Sequence, residues 1–300
     1  MKAFKYIILI FTLIPAAFFP HAFAYAEDDF IKWIDFKPTV EVLSQAYKYD
    51  CSSFGQDIKL NWIELLAYTA CKNGNKFISK KSMEMDKLVV RLNNGENMED
   101  ITKDLKYYGF YKKGYTAILS EYVGEYIANE KLNYGLKVFC PLAKNYWFSH
   151  YRDFGNGRSY GYRRHHLGND LLGSIGTPIV AVEGGFVEEL GWNSYGGWRI
   201  GISSFDRKRY YYYAHLKKDT PYVEGLERGQ KVEAGQHIGY LGNTGYSSKE
   251  NVNMKSGKPH LHFGIQVIFD ESQRTGAKEI WIDPYYLVEF LKNNKKLIEN

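Results

Sequence analysis

The second half of the chain alternates short apolar runs with breaks rich in glycine and asparagine, and this pattern most restricts the fold. From Leu136 onward the runs are dominated by β-branched and aromatic residues. They are TPIVAVEGGFVEEL, WRIGISS, YYYYAHL, QHIGYLG and HLHFGIQV. Regular short strands separated by glycine turns predict a compact, mainly antiparallel β domain.

The first half of the chain has helical spacing instead. The stretch Asn61–Gly74 places Trp62 and Leu65 on one stripe and ends in a glycine. The stretches 98–110 and 117–132 repeat this spacing, and no cluster of catalytic residue types lies here. We expect a small helical domain that packs on the second half or on a partner. The predicted fold class is therefore α+β, with an N-terminal helical domain followed by a mainly antiparallel β domain.

The N-terminus has the pattern of a secretory signal. Lys2 and Lys5 precede the apolar stretch Tyr6–Phe19, and small-residue triplets follow up to Ala26. The alternative is an uncleaved membrane anchor, although the prolines of this segment disfavour a spanning helix. In either case most of the chain is expected outside the cytoplasm.

These patterns predict four segments and restrict the partners. We expect a signal peptide or membrane anchor over 1–26, a helical domain over 27–135, a β domain over 136–292 and a tail over 293–300. The formal net charge of +5 is mild and no lysine or arginine run occurs, so nucleic acid is not an expected partner. A membrane is expected only if the N-terminal segment is retained, and no oligomeric state is predicted.

Three cysteines without a CxxC pair do not indicate a zinc ribbon or a redox motif. Cys51 and Cys71 lie in one region and either pair or remain thiols, and Cys140 is left over in both cases.

Two histidines one residue apart lie inside the apolar run KPHLHFGIQV. Side chains two apart on a strand point to the same face, so His260 and His262 would stand side by side, roughly 7 Å apart at the backbone. Leu261 and Phe263 would face the other way, into a core. Adjacent imidazoles indicate either a metal site or acid–base chemistry.

The run HHLGND places His166 and Asp170 four residues apart with Gly168 between them. On a straight strand the two side chains would be roughly 13 Å apart, too far to share one ion, and the nearby glycines disfavour a helix. A bend at Gly168 would bring them together. Two histidines, an aspartate and a water form a ligand set that catalytic zinc uses, but spacing alone does not say which histidine of HLHF is the ligand.

The motifs of the second half also occur in a characteristic order. They are FGNGRSYGYRRHHLGNDLLGSIGTPIVAVEGGFV (Phe154–Val187), the glycine-rich turn Trp192–Gly197, YAHL (Tyr213–Leu216), Gly235–Gly245 and HLHF (His260–Phe263). This set, spread over roughly residues 137–290, resembles the lysostaphin-type (LytM-like) zinc metallopeptidases, which cut the peptides of bacterial cell-wall peptidoglycan.

At the matching positions, the resemblance implies that His166, Asp170 and His262 bind one zinc ion per chain. It implies that His260 and His215 are the catalytic histidines, with His260 as the general base for a metal-activated water and His215 as a stabiliser of the oxyanion. The implied fold is the lysostaphin-type peptidase fold, similar to a duplicated hybrid motif.

The implied activity is a zinc-dependent endopeptidase that hydrolyses peptide cross-links of peptidoglycan, secreted or at the surface of a bacterium. The alternative on the same fold is a non-catalytic cell-wall scaffold, or an activator of other wall hydrolases. Because Asp170 and all four matched histidines are present, catalysis is favoured.

Two features lie outside this pattern. The link YSSKENVNMKSGK between Gly245 and Pro259 is longer than is usual in the family, and we expect it to border the groove and affect substrate choice. Several arginines flank the first ligand and are either ligands for a peptide carboxylate or solvated surface. They are Arg152, Arg158, Arg163 and Arg164.

Overall fold

The computed structural model describes residues 30–128, 130–160 and 162–294. Its helices are α1 (Val40–Ser52), α2 (Trp62–Asn73), α3 (Met83–Asn93), α4 (Met98–Thr102), α5 (Tyr108–Leu119) and α6 (Tyr285–Asn293). Its strands are β1 (Val123–Ala128), β2 (Lys131–Leu136), β3 (Ser149–His150), β4 (Gly157–Tyr160), β5 (Tyr162–His165), β6 (Asn169–Leu172), β7 (Pro178–Val180), β8 (Gly185–Asn193), β9 (Gly197–Ser204), β10 (Arg209–Ala214), β11 (Lys231–Val232), β12 (His237–Tyr240), β13 (His260–Val267) and β14 (Ile280–Ile282).

Helices α1 to α5 precede the antiparallel strands along the chain and α6 follows them, so the predicted α+β fold class is confirmed. Both parts contribute side chains to one hydrophobic core. The domain boundaries remain predictions, and the signal predicted over 1–26 lies outside the described residues. Within the described ranges, every helix is too short or too polar to cross a bilayer.

The ends of α2 follow from its sequence. The Asn61 side chain accepts the backbone N–H groups of Ile63 and Glu64, which would otherwise lack partners at the helix start. Gly74 ends the helix in the left-handed conformation, with φ at 58°, as expected for a glycine at this position. The helix predicted between Asn61 and Gly74 is therefore confirmed.

The helix predicted over 117–132 is wrong beyond Leu119. Instead, β1 and β2 form a hairpin in which Ala128 pairs with Lys131 across a two-residue connection. Glu130 in that connection has a φ of 58°, a conformation that two-residue hairpin turns require. The apolar residues read as a helical stripe include Ile127, which is 79% exposed on the hairpin.

The large antiparallel sheet has β13 near its centre. The strand order is β11-β8-β9-β10-β13-β6-β3, and β14 also pairs with β13. One edge of β13 pairs with β10 along most of its length, and the other is shared between β6 at its start and β14 at its end.

The alternation predicted for β13 is present. Leu261 and Phe263 are fully buried, while His260 and His262 are only partly buried on the other face. Tyr211 and Tyr213 of β10 are likewise buried in the core. His262 lies opposite Ala214 in the sheet register. Since opposite residues share a face of the sheet, the core face of β10 is continuous with the core face of β13, and His262 lies on the other face.

A buried ionic cluster joins the core face of the sheet to the helices. The Arg209 guanidinium donates from Nε and Nη2 to the Glu183 carboxylate at 2.8 and 3.0 Å. Its Nη1 donates to the Ala117 carbonyl of α5 at 2.5 Å, and Nη2 also donates to Asp206 at 3.0 Å. Tyr211 donates to Glu183, so the carboxylate is shared by two donors. We call this group the Arg209 cluster.

Candidate metal centre

Three elements bring the metal-ligand types together. In the register of β6 and β13, Asp170 lies directly opposite His262, and side chains at such positions are neighbours on one face of a sheet. His166 lies in the short connection between β5 and β6, where the chain turns back over the start of β13. The connection holds the bend predicted around Gly168.

The three side chains converge on one point. His166 Nε2 lies 2.7 Å from His262 Nδ1 and 3.0 Å from Asp170 Oδ1. His262 Nδ1 lies 3.4 Å from the same carboxylate oxygen. One ligand atom from each residue lies within 4.8 Å of the other two. The structure thus brings the three predicted ligands together, with His262 rather than His260 in the group.

Gly168 allows this convergence because it leaves room for the backbone of β13. A Cβ atom at this position would lie 2.5 Å from the Phe263 carbonyl oxygen and 2.8 Å from Cε1 of His262. Real side chains do not tolerate such distances to a backbone atom. The glycine is therefore required by close approach.

Two residues, Asp153 and Arg158, support the predicted ligands in a way that the sequence did not indicate. Asp153 accepts the His166 Nδ1–H at its carbonyl, 3.1 Å away. Arg158 donates to Oδ2 of Asp170 at 3.0 Å and to the Asp153 carboxylate at 2.7 Å. Asp153 lies far from HHLGND in sequence, so no local pattern indicated it. Arg158 was among the four arginines singled out, and it orients Asp170 so that Oδ1 faces the histidines.

The electrostatics of the cluster favour positive charge between its ligand atoms. Burial alone would lower the pKa of His166, but hydrogen bonds to Asp153 and Asp170 outweigh it and raise that pKa to about 9. Burial would raise the pKa of Asp170, yet its histidine neighbours hold that pKa well below its usual range. Burial lowers the pKa of His262.

The residues present fit a divalent metal ion. Asp170 Oδ1 is buried and faces the ring nitrogens of His166 and His262, at 3.0 and 3.4 Å. With Nδ1–H donated to Asp153, Nε2 is the nitrogen of His166 that would bind an ion, which would displace its proton, and it faces His262 Nδ1. Two imidazole nitrogens and one carboxylate oxygen, with a position left open, are the donor set of catalytic zinc sites. A carbonyl that holds the far nitrogen of a ligand histidine is typical of such sites.

The two remaining predicted site residues border the cluster. His260 Nε2 lies 3.6 Å from Asp170 Oδ1, and its Nδ1–H donates to the Lys258 carbonyl at 2.7 Å. The His215 Nδ1–H donates to the Thr244 carbonyl at 2.8 Å. The His215 and His260 ring centres are 4.7 Å apart. Burial lowers the pKa of His215 well below its ordinary value, so this ring is neutral.

The metal centre opens into a cavity of about 420 Å³ on the face of the sheet opposite the core. Tyr210 and Tyr212 of β10 form part of its wall, as their alternation with the core tyrosines predicts. Tyr246 places the long link after Gly245 at the cavity, as expected. This link is held by Asn251, which accepts the Trp198 indole N–H at 2.9 Å.

Comparison with known proteins agrees with this geometry. Residues 164–276 match the family model described as Peptidase family M23. The L-Ala–D-Glu endopeptidase of Bacillus subtilis is 35% identical over 181 residues, which cover 59% of this chain and 51% of the relative. Lysostaphin of Staphylococcus simulans is 36% identical over 126 residues, 39% of this chain and 22% of lysostaphin. The chain thus spans about half the length of the first relative and less of the second.

A solved structure of a LytM protein from Ruminococcus gnavus shares the fold across both halves of the chain. It superposes with a TM-score of 0.56 over 88% of this chain and 93% of that one, at 23% identity. The resemblance to lysostaphin-type peptidases is confirmed by these comparisons. The part of the chain that carries the candidate metal centre, residues 164–276, therefore matches peptidase family M23.

Proposed function

We propose that this protein is a zinc-dependent endopeptidase that hydrolyses peptide cross-links of bacterial peptidoglycan, outside the cytoplasm. The observation that carries the proposal is the convergence of His166, Asp170 and His262 at the end of a cavity large enough for a peptide. The endopeptidase relatives support the reaction class.

His166 Nε2, His262 Nδ1 and Asp170 Oδ1 would hold the ion. A bound zinc ion supplies a Lewis acid that polarises the scissile carbonyl and activates a water. Arg158 donates to Oδ2 of Asp170 and so keeps Oδ1 turned towards the histidines. Asp153 fixes the His166 ring through Nδ1, so the lone pair of Nε2 is directed at the ion.

The hydrogen bonds of the two remaining histidines define their proton roles. Because Nδ1–H of His260 donates to Lys258, its Nε2 carries a lone pair and can take a proton from the attacking water. His215 donates from Nδ1 to Thr244, so its Nε2 also carries a lone pair. His215 can therefore donate to an oxyanion from Nε2 only after it takes up a proton.

The proposed function does not specify which peptide bond of peptidoglycan is cut. By its name, the Bacillus subtilis relative acts on an L-Ala–D-Glu bond. Glutamate carries a carboxyl group beyond those of the main chain, so a charged group accompanies that bond. A bridge made of glycine carries none. Both kinds of substrate belong in the test.

The test is to purify the chain, measure bound zinc and digest peptidoglycan while following new free amino groups. We expect about one zinc per chain and release of amino groups. His166→Ala should lose both, whereas His165→Ala, a change at the exposed neighbouring histidine, should keep both. His260→Ala should keep zinc and lose at least about 100-fold in rate.

Two outcomes would contradict the proposal. A folded protein that binds no zinc would remove the metal centre. A zinc-loaded protein that releases no amino groups from any wall would leave the non-catalytic scaffold or activator as the function.

A further inference from the structure

The hairpin of β4 and β5 directs two arginines towards the cavity. Arg158 and Arg164 lie opposite one another in its register, and both are half-buried. Ser159 and Arg163 form the neighbouring pair and are exposed. Since opposite residues of an antiparallel pair share a face, the hairpin has one face with two guanidinium groups on the cavity side.

The two arginines differ in what they bind. The charge of Arg158 is used by the Asp153 and Asp170 carboxylates. The guanidinium carbon of Arg164 lies 4.5 Å from the ring centre of Tyr195 and 5.5 Å from that of Tyr246. Contact with aromatic rings attracts the guanidinium charge without using its N–H donors, which stay available to a ligand.

Arg164 has unused hydrogen-bonding capacity on the cavity side. Its Nη1 atom is buried and has no hydrogen-bond partner among the described residues. A buried donor without a protein partner can bind a water or a ligand group. A planar guanidinium matches the two oxygens of a carboxylate.

The acidic residues that line the same cavity have partners of their own. These are Glu188 with Arg274 at 3.2 Å, Glu189 with Arg199, and Glu279 with the indole N–H of Trp281 at 2.7 Å. The carboxylate that Arg164 is suited to bind would therefore come with the substrate.

Arg164 lies close to the reacting centre. It precedes the ligand His166 by two residues, which is roughly 7 Å along an extended chain. Tyr246 contacts both Arg164 and His215: its ring centre lies 5.5 Å from the Arg164 guanidinium carbon and 5.5 Å from the His215 ring centre. A carboxylate bound to Arg164 would thus belong to a substrate residue near the scissile bond.

We propose that Arg164 binds a substrate carboxylate on a residue next to the scissile bond, so that the protein selects acidic peptides over bridges made of glycine. The binding of the carboxylate follows from Arg164 and its aromatic neighbours. Its place beside the scissile bond rests on the proposed endopeptidase function.

The experiment compares two synthetic peptides on the zinc-loaded protein. Both contain an L-Ala–D-Glu bond, and they differ only in whether the glutamate carboxyl that is not in the peptide chain is free or carboxamide. We expect the free acid to be cleaved with a kcat/KM about 10- to 100-fold higher. Arg164→Met should abolish this preference by raising KM for the acid alone. Arg163→Met, on the exposed face of the same hairpin, should keep it.

Binding measured by calorimetry on a His260→Ala background decides the matter without turnover. If the acid binds more tightly than the amide and Arg164→Met removes the difference, the inference holds even where neither peptide is cleaved, and only the endopeptidase function fails. Equal binding of the two peptides to the parent would overturn the inference. So would an equal loss on both peptides in Arg164→Met, because that result assigns Arg164 to packing under Tyr246.

Discussion

The Arg209 cluster and the metal centre lie on opposite faces of one sheet, and both bury charged groups. In the Arg209 cluster, all three guanidinium nitrogens donate to carboxylates or carbonyls. In the metal centre, Asp170 Oδ1 faces the ring nitrogens of His166 at 3.0 Å and of His262 at 3.4 Å, and these two nitrogens lie 2.7 Å from each other.

We interpret this difference as that between an ion cluster that stabilises the fold and a cluster suited to bind a metal ion. The Arg209 cluster is closed, because the charges in it are paired with one another and this pairing offsets the cost of their burial. Removing one member leaves a buried charge without its partner. The metal centre is open, because its nitrogen and oxygen atoms point at a common position where a cation from solution could bind. We therefore expect substitutions in the first to change stability and substitutions in the second to change metal content and rate.

The largest expected effect is in the open cluster. Asp170→Asn should lose bound zinc and at least about 1,000-fold in rate, because the only anionic ligand is removed. The matched change in the closed cluster, Asp206→Asn, should keep both. Metal analysis and peptidoglycan digestion check this pair, and a zinc-loaded, active Asp170→Asn protein would contradict the assignment of ligands.

The closed cluster should respond in stability. Glu183→Gln leaves the fully buried Arg209 without its main counter-charge and should lower the free energy of unfolding by about 3 to 5 kcal/mol. Glu188→Gln, at a partly exposed pair with Arg274, should cost less than about 1 kcal/mol. Denaturant titration measures both, and similar costs for the two variants would show that burial does not distinguish these pairs.

Gly168→Ala tests whether the metal centre requires the close contact between the β5–β6 connection and the backbone of β13. A Cβ atom would lie 2.5 Å from the Phe263 carbonyl oxygen and displace the β5–β6 connection that holds His166. We expect zinc affinity to fall by about 10- to 100-fold, as when a ligand loses its support. Gly157→Ala, where nothing lies within 4 Å of the added carbon, should bind zinc normally in the same competition with a chelator.

The smallest expected effect concerns the long link at the cavity. Asn251→Gly keeps the positive φ of 56° but removes the side chain that binds Trp198 and Asp219. We expect KM to rise by about 2- to 10-fold with kcat nearly unchanged, since the catalytic groups are not moved. Lys255→Gly, an exposed change in the same link, serves as control, and an equal rise there would make the link merely sensitive to glycine.

Sequence patterns predicted the parts of the fold that depend on local periodicity. The alternation of HLHF fixed the face of His260 and His262, and the glycine in HHLGND indicated the bend between the ligands. The hairpin of β1 and β2 was missed because its apolar residues also fit a helical stripe. The hairpin also requires a positive φ at Glu130, a conformation that glutamate does not favour, so no turn signal in the sequence argued against a helix.

The supports of the site were harder to predict because they come from distant positions. Asp153 and the carbonyl of Thr244 are set beside the histidines by the sheet register and the turns, and the motifs near them do not show these contacts. Arg158 and Arg164 are the same residue type on the same hairpin. Arg158 donates to the Asp153 and Asp170 carboxylates, whereas Arg164 contacts the rings of Tyr195 and Tyr246. Spacing cannot separate two such arginines, whereas their partners in the structure can.

The tight crossing at Gly168 also limits how the protein can be changed. A Cβ atom at Gly264 of β13 would likewise lie 2.7 Å from the Leu167 carbonyl oxygen. Neither the β5–β6 connection nor β13 therefore has room for a side chain where they cross. A library aimed at new specificities should hold these two glycines constant. Diversity belongs instead in the link 246–258, where length and side chains can vary while the crossing stays intact.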